Sequence, residues 1–123
     1  MILCDTNILI EFYKGNPTIV QTLRTIGPAN IAISVITKAE LFYGTRDKQE
    51  LAKIERHLEK CHCYDLNPAI SSLFIDLMLR YSLSHKASVP DMLIAATALS
   101  HDVTLYTLNI KDFKFIPDLN LYL

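Results

Sequence analysis

Four stretches of this 123-residue chain set an acidic or amide side chain where a strand is expected to hand over to a helix: Asp5-Thr6-Asn7, Thr37-Lys38-Ala39-Glu40, the run from Pro90-Asp91 to Ala98, and the run from Thr107 through Asn109 and Asp112 to Phe113. Gathered along one edge of one sheet, these groups would crowd several carboxylates into a single pocket. Like charges that close repel unless a cation lies among them. Hard oxygen donors in that number suit Mg²⁺ or Mn²⁺.

Whether the four stretches can meet depends on the elements that carry them. Ile2-Leu3-Cys4 is a short apolar run ended by Asp5 and reads as a buried strand, after which Ile8, Leu9 and Phe12 recur at helical spacing. A second helix carries Ile19, Val20, Leu23 and Ile26 on one face and stops at Gly27-Pro28. Residues 31–34 form the second strand, and Thr37 opens a short helix closed near Gly44, with another marked by Leu51, Ile54 and Leu58. A third strand is expected over 61–66, a fourth over 104–107, and an edge strand in the tail over 119–123. Between the third and fourth, Asn67-Pro68 and Pro90 open two long helices. Strands separated by helices pair in parallel with helices on both faces, so the chain is expected to be one α/β domain over 1–123 around a mostly parallel sheet of four to five strands. Ligands of such sheets sit beyond the carboxyl ends of the strands.

Each acid also has a purely local explanation. Thr37-x-x-Glu40 and Ser88-x-x-Asp91 match the capping box, and Asp5 can cap the helix that follows it. Taken together they are harder to explain that way, because Asp5, Glu40, and the pair Asn109 and Asp112 follow successive strands and fall on one edge, while Asp91 needs only its helix N-terminus to point there. Capping and ion binding are compatible, since a carboxylate held by helix N–H groups is fixed and kept ionised.

Composition narrows the classes. Half of the residues are hydrophobic, a fifth are charged and the formal net charge is −1, so nothing pulls the whole molecule toward nucleic acid, and apolar surface is left for a partner or a second copy. The first residues have no basic segment and Asp5 and Glu11 interrupt their apolar run; the expectation is a cytoplasmic protein with neither signal peptide nor membrane span. Three cysteines do not suggest a disulfide framework. His57, Cys61, His62 and Cys63 lack the spaced chelating pairs of structural zinc, and strand alternation sends Cys61 and Cys63 to one face and His62 to the other. Glycine occurs only at 15, 27 and 44, which leaves no phosphate-binding glycine loop. Lys14, Lys38, Arg46, Lys86 and Lys111 lie near the junctions as candidate phosphate contacts, with Tyr13 and Tyr43 as candidate stacking groups.

Asp-Thr-Asn after the first strand, an internal Glu after the second, Pro-Asp-x-Leu-Ile-Ala-Ala-Thr-Ala, and Thr-x-Asn-x-x-Asp-Phe near the end together resemble a PIN-domain ribonuclease of the VapC toxin type, and the resemblance runs the length of the chain. It implies Mg²⁺- or Mn²⁺-dependent cleavage of RNA by the toxin half of a toxin-antitoxin pair, with an antitoxin protein as partner and a homodimer as assembly. Carried over by position, the metal-binding acids fall on Asp5, Glu40 and Asp91, the fourth polar position falls on Asn109 or Asp112, and Thr6, Asn7 and Thr107 support the ligands. Many relatives have an acid where Asn109 stands and Arg where Leu108 stands. Two other readings compete: a catalytically weak or inactive PIN-like module that binds RNA or protein, and a phosphate-accepting signalling domain, which would need a lysine soon after a late strand where this chain has Leu108-Asn109.

Overall fold

The computed structural model describes residues 1–123. Four short strands, β1 (Ile2–Cys4), β2 (Ile31–Ser34), β3 (His62–Tyr64) and β4 (Thr104–Tyr106), form one sheet in the order β3-β2-β1-β4, with every pairing parallel. Six helices connect and cover it: α1 (Thr6–Tyr13), α2 (Pro17–Ile26), α3 (Val35–Tyr43), α4 (Lys48–Leu58), α5 (Pro68–Tyr81) and α6 (Val89–His101). The sheet runs outward from β1 in both directions, so the reversal of strand order falls between β1 and β4. That is where an open parallel sheet leaves a crevice at its carboxyl edge.

Alternation along the strands divides the interior. Leu3 and Ala32 join Ile70 and Leu77 of α5, the alanines of α6, Leu105 and Phe113 in one buried cluster; Cys4, Ile31 and Ile33 join Ile8, Leu9, Ile19, Leu23, Leu41 and Leu58 in the other. Each face of the sheet is therefore sealed by helices, as a parallel sheet requires. Ala95, Ala96 and Ala98 are fully buried, and their small side chains let α6 lie close to both α5 and the sheet. On β3 the expected alternation is present: Cys61 and Cys63 pack against the second cluster and His62 is exposed.

The expected elements differ from the observed ones where a strand end is used as a helix cap. β3 stops at Tyr64, short of Leu66, because its ladder partner β2 ends at Ser34 and leaves Asp65 and Leu66 nothing to pair with. β4 likewise stops at Tyr106, opposite Cys4, since Asp5 has already turned to cap α1. The tail is not a fifth strand. Leu121 makes a single parallel bridge to Leu105, whose N–H donates to Asn120 O and whose carbonyl accepts from Tyr122 N–H, both at 2.8 Å, after the chain has reversed at Asp118 with φ of 67°. Finally, the third helix begins at Val35 rather than Thr37. Ser34 is its cap, with its Oγ accepting from Thr37 N–H at 3.1 Å, so Thr37-x-x-Glu40 lies inside the helix and is no capping box.

Candidate active site

Asp5 stands at the switch between β1 and β4. Its N–H donates to Tyr106 O at 2.9 Å, extending the sheet by one bond, and its backbone then takes the extended conformation of a helix cap (φ −67°, ψ 157°). One carboxylate oxygen accepts from Thr6 N–H at 2.7 Å and the other from Thr107 Oγ–H at 2.8 Å. The side chain is only 4% exposed. Burial pushes its carboxyl above the usual range; the bonds from Thr107 and Thr6 pull it back, and the charges of Glu40 and Asp112 push it up again.

The other acids arrive from separate elements. Asp91 lies in the first turn of α6, where its N–H donates to Ser88 Oγ at 3.2 Å. Its half-buried carboxyl is also raised, by burial first and Asp5 second, with Asp112 and Glu40 adding to the effect, while the Ser88 side chain, bonding to the carboxyl itself, pulls it back. Glu40 projects from the middle of α3 and its Oε1 accepts from Thr6 Oγ–H at 2.7 Å. Asp112 ends a 3-10 turn (Ile110–Asp112) after β4. The structure thus brings Asp5 and Asp91 within electrostatic reach of both Glu40 and Asp112, and Asp91 within reach of Asp5. Asn109 is different: its N–H donates to Thr107 Oγ at 3.0 Å, while its side chain is exposed and caps nothing. Asn7 ties α1 to the same loop, its Oδ1 accepting from Leu108 N–H at 3.3 Å. Thr107 is the buried hub of this side, donating to Asp5 and accepting from Asn109.

No basic side chain neutralises the four acids. The ion pairs are Lys14 with Glu11, Arg46 with Glu50 and Arg80 with Asp76, all elsewhere on the surface. Four carboxyls, two of them raised by crowding and burial and none paired with a base, make a donor set that fits a hard divalent cation. No three acidic, histidine or cysteine side chains close tightly enough to clamp an ion unaided.

From Glu40 a groove of about 960 Å³ runs along α1, α3 and α4, lined among others by Tyr13, Lys14, Arg46, Lys53 and His57. Tyr13 Oη lies 2.7 Å from His57 Nδ1, and His57 stacks on Phe12. Burial, assisted by Lys60, lowers the His57 pKa. Tyr43 is 93% exposed at the end of α3. Lys38 lies close enough to Cys63 to lower its thiol pKa, and Lys86 sits in the left-handed region (φ 51°) before α6. Sequence reasoning passed over Ser34 and read Thr37 only as a cap; the three-residue spacing of Ser34, Thr37 and Glu40 was the available signal, because it stacks them on one helix face.

Fold and site together define a parallel α/β domain with an acidic centre at the topological switch point. The PIN domain profile matches residues 2–117. Ribonuclease VapC19 of Mycobacterium tuberculosis is 33% identical over 122 residues, spanning 97% of both chains. Among solved structures, a toxin-antitoxin complex from Klebsiella pneumoniae superposes with a TM-score of 0.84 at 31% identity, covering 100% of this chain and 97% of that one. VapBC2 from Rickettsia felis, bound to a DNA fragment from its promoter, gives 0.83 at 32% identity, covering 99% and 98%. This chain belongs to the PIN-domain family, within its VapC branch.

Proposed function

We propose that this protein is an endoribonuclease toxin that hydrolyses RNA phosphodiester bonds with Mg²⁺ or Mn²⁺ and is held in check by a cognate antitoxin. The observation that carries the reading is the convergence of Asp5, Glu40, Asp91 and Asp112 with no basic partner; relatives named as VapC ribonucleases and a related toxin-antitoxin complex support it. When bound, the ion supplies neutralisation of charge building on the phosphoryl oxygens and lowers the pKa of water. Asp5 and Asp91 would hold it. Asp5 is fixed for that role by Thr6 N–H and the Thr107 hydroxyl, which keep both its oxygens oriented. Glu40, anchored through one oxygen by Thr6, has the other free to orient water or to bind the ion. The Asp112 charge raises the carboxyls of both Asp5 and Asp91, which favours it as the fourth group, and Asn109, its side chain exposed, shapes the loop through its backbone.

No helix is long and apolar enough to cross a membrane, and the toxin reading places the protein in the cytoplasm with its RNA targets. A homodimer is supported by the apolar stripe of Ile75 and Leu79 on α5, continued by Leu83, with Leu79 80% exposed and Leu83 95% exposed. Incubating the purified protein with transfer, ribosomal and single-stranded RNA tests the activity. Cleavage with Mn²⁺ that stops in chelator is expected; intact RNA of all three classes would favour the alternative of a PIN-like binding module that does not cut.

A further inference from the structure

A line of hydroxyl groups behind Glu40 is not explained by capping alone. Ser34 Oγ lies 3.4 Å from Thr37 Oγ1, Thr37 Oγ1 lies 3.0 Å from Thr6 Oγ1, and Thr6 Oγ1 lies 2.7 Å from Glu40 Oε1. Ser34 and Thr37 are both fully buried, and no buried side-chain oxygen or nitrogen in the protein lacks a partner. Each hydroxyl has one proton to give. A carboxylate accepts only, so Thr6 must spend its proton on Glu40; it can then only accept from Thr37, which in turn can only accept from Ser34. The Ser34 oxygen meanwhile accepts from Thr37 N–H at the start of α3. The donor directions along the line are therefore all set by the acid at its end, and donors aligned head to tail polarise one another.

We propose that Ser34 and Thr37 are positioning residues that act through Thr6 to hold Glu40 in its working orientation, an inference that rests on the reading of Glu40 as part of the metal-dependent site. Glu40 is an exposed residue on a helix surface, with a long side chain that solvent would otherwise leave free to change rotamer. The line fixes one of its oxygens and leaves the other available. It also ties together three elements, since Thr6 opens α1, Ser34 ends β2 and Thr37 lies in the first turn of α3. A residue two steps from the acid thereby sets how well the acid meets its ion.

The test is Mn²⁺ affinity, read by calorimetry, together with RNA cleavage, for Thr37→Val, Thr37→Ser, Thr6→Val and the double variant Thr6→Val/Thr37→Val. Loss of a group that orients a ligand typically weakens metal binding about 10-fold or more, so Thr37→Val is expected to lose about that much in affinity and in kcat/KM, while Thr37→Ser stays within about 2-fold of wild type. Because the groups act in series, the double variant should be no worse than Thr6→Val alone; a merely structural Thr37 would make the two losses add. Wild-type Mn²⁺ affinity in Thr37→Val, or additive losses, overturns the proposal. A wild-type protein that binds no Mn²⁺ overturns instead the reading of the site on which it rests. Should Thr37→Val fold poorly, proton NMR of the wild type decides: a slowly exchanging Thr37 hydroxyl resonance that moves on Mg²⁺ addition is expected, and a hydroxyl exchanging at the solvent rate refutes the line.

Discussion

Thr107→Val removes one hydroxyl and nearly nothing else, and it tests how Asp5 is held. In the native protein that hydroxyl donates to a buried carboxylate at 2.8 Å and accepts from Asn109 N–H. A hydrogen bond to a charged acceptor contributes about 1.5 to 3 kcal/mol, and the orphaned Asn109 N–H adds to the loss, so the variant should be less stable by about 2 to 3 kcal/mol. For a chain of this length that is a fall in Tm of roughly 8 to 12 °C. The pH dependence has a definite sign. The Thr107 bond lowers the Asp5 carboxyl pKa, so deleting it raises a value that burial has already raised. A carboxyl raised in the folded state costs stability only once ionised, so the gap between wild type and variant is widest at neutral pH. It narrows as the carboxyl takes up its proton on acidification. Thermal melts followed by circular dichroism in chelator, at neutral pH and near pH 4, measure this, with Thr107→Ser as the control expected to behave as wild type. A Tm within about 2 °C of wild type at neutral pH, or a gap that widens in acid, would refute the reasoning.

Asp91→Asn should stabilise the metal-free protein, because its carboxyl is raised by burial and by Asp5 and is therefore a cost when ionised. The gain is present at neutral pH and kept small by the half-exposed position of the carboxyl. It shrinks on acidification as the folded-state carboxyl takes up its proton, and is gone once the pH lies well below the ordinary aspartate value, where both states are neutral; melts in chelator from neutral pH downward check it, and added Mn²⁺ should reverse the order by stabilising only wild type. At the fourth position, Asp112→Asn is expected to cut RNA cleavage by about 10-fold or more and Asn109→Ala by much less, since the Asp112 charge raises the Asp5 and Asp91 carboxyls whereas the Asn109 side chain is exposed and caps nothing; single-turnover rates distinguish them, and the opposite ranking would return the role to Asn109. Leu79→Glu, placed on the exposed stripe of α5, should convert a dimer to a monomer in sedimentation velocity with the helical spectrum unchanged.

Much of this architecture is written in short-range patterns. Apolar runs ended by an acid or serine located β1 and β2, and the alternation of helices with strands implied parallel pairing, which by itself carries Asp5, Glu40 and the residues after β4 to one edge. What stayed hidden depends on tertiary partners. Nothing local distinguishes Ser34 as the last residue of a strand from Ser34 as a helix cap; it is both, and missing that displaced the start of α3 and made Thr37 look like the cap. The lengths of β3 and β4 were overestimated for a related reason, since a strand ends where its neighbour does. The rivalry between Asn109 and Asp112 turns on a single 3-10 turn, whose lead-in backbone is held by Thr107 and Asn7, partners distant in sequence or hidden from any spacing in the chain.

The most direct test of the central claim is RNA cleavage by Asp5→Asn under Mn²⁺, alongside wild type. Asparagine keeps the shape and one acceptor oxygen, for Thr6 N–H, sets an amide N–H₂ toward the Thr107 hydroxyl in place of the second oxygen, and removes the charge. The loss should be about 1,000-fold, the rate equivalent of the several kcal/mol that charge neutralisation by a bound ion contributes, with the melting transition retained. Cleavage at the wild-type rate by that variant, with the same Mn²⁺ requirement, would contradict the account.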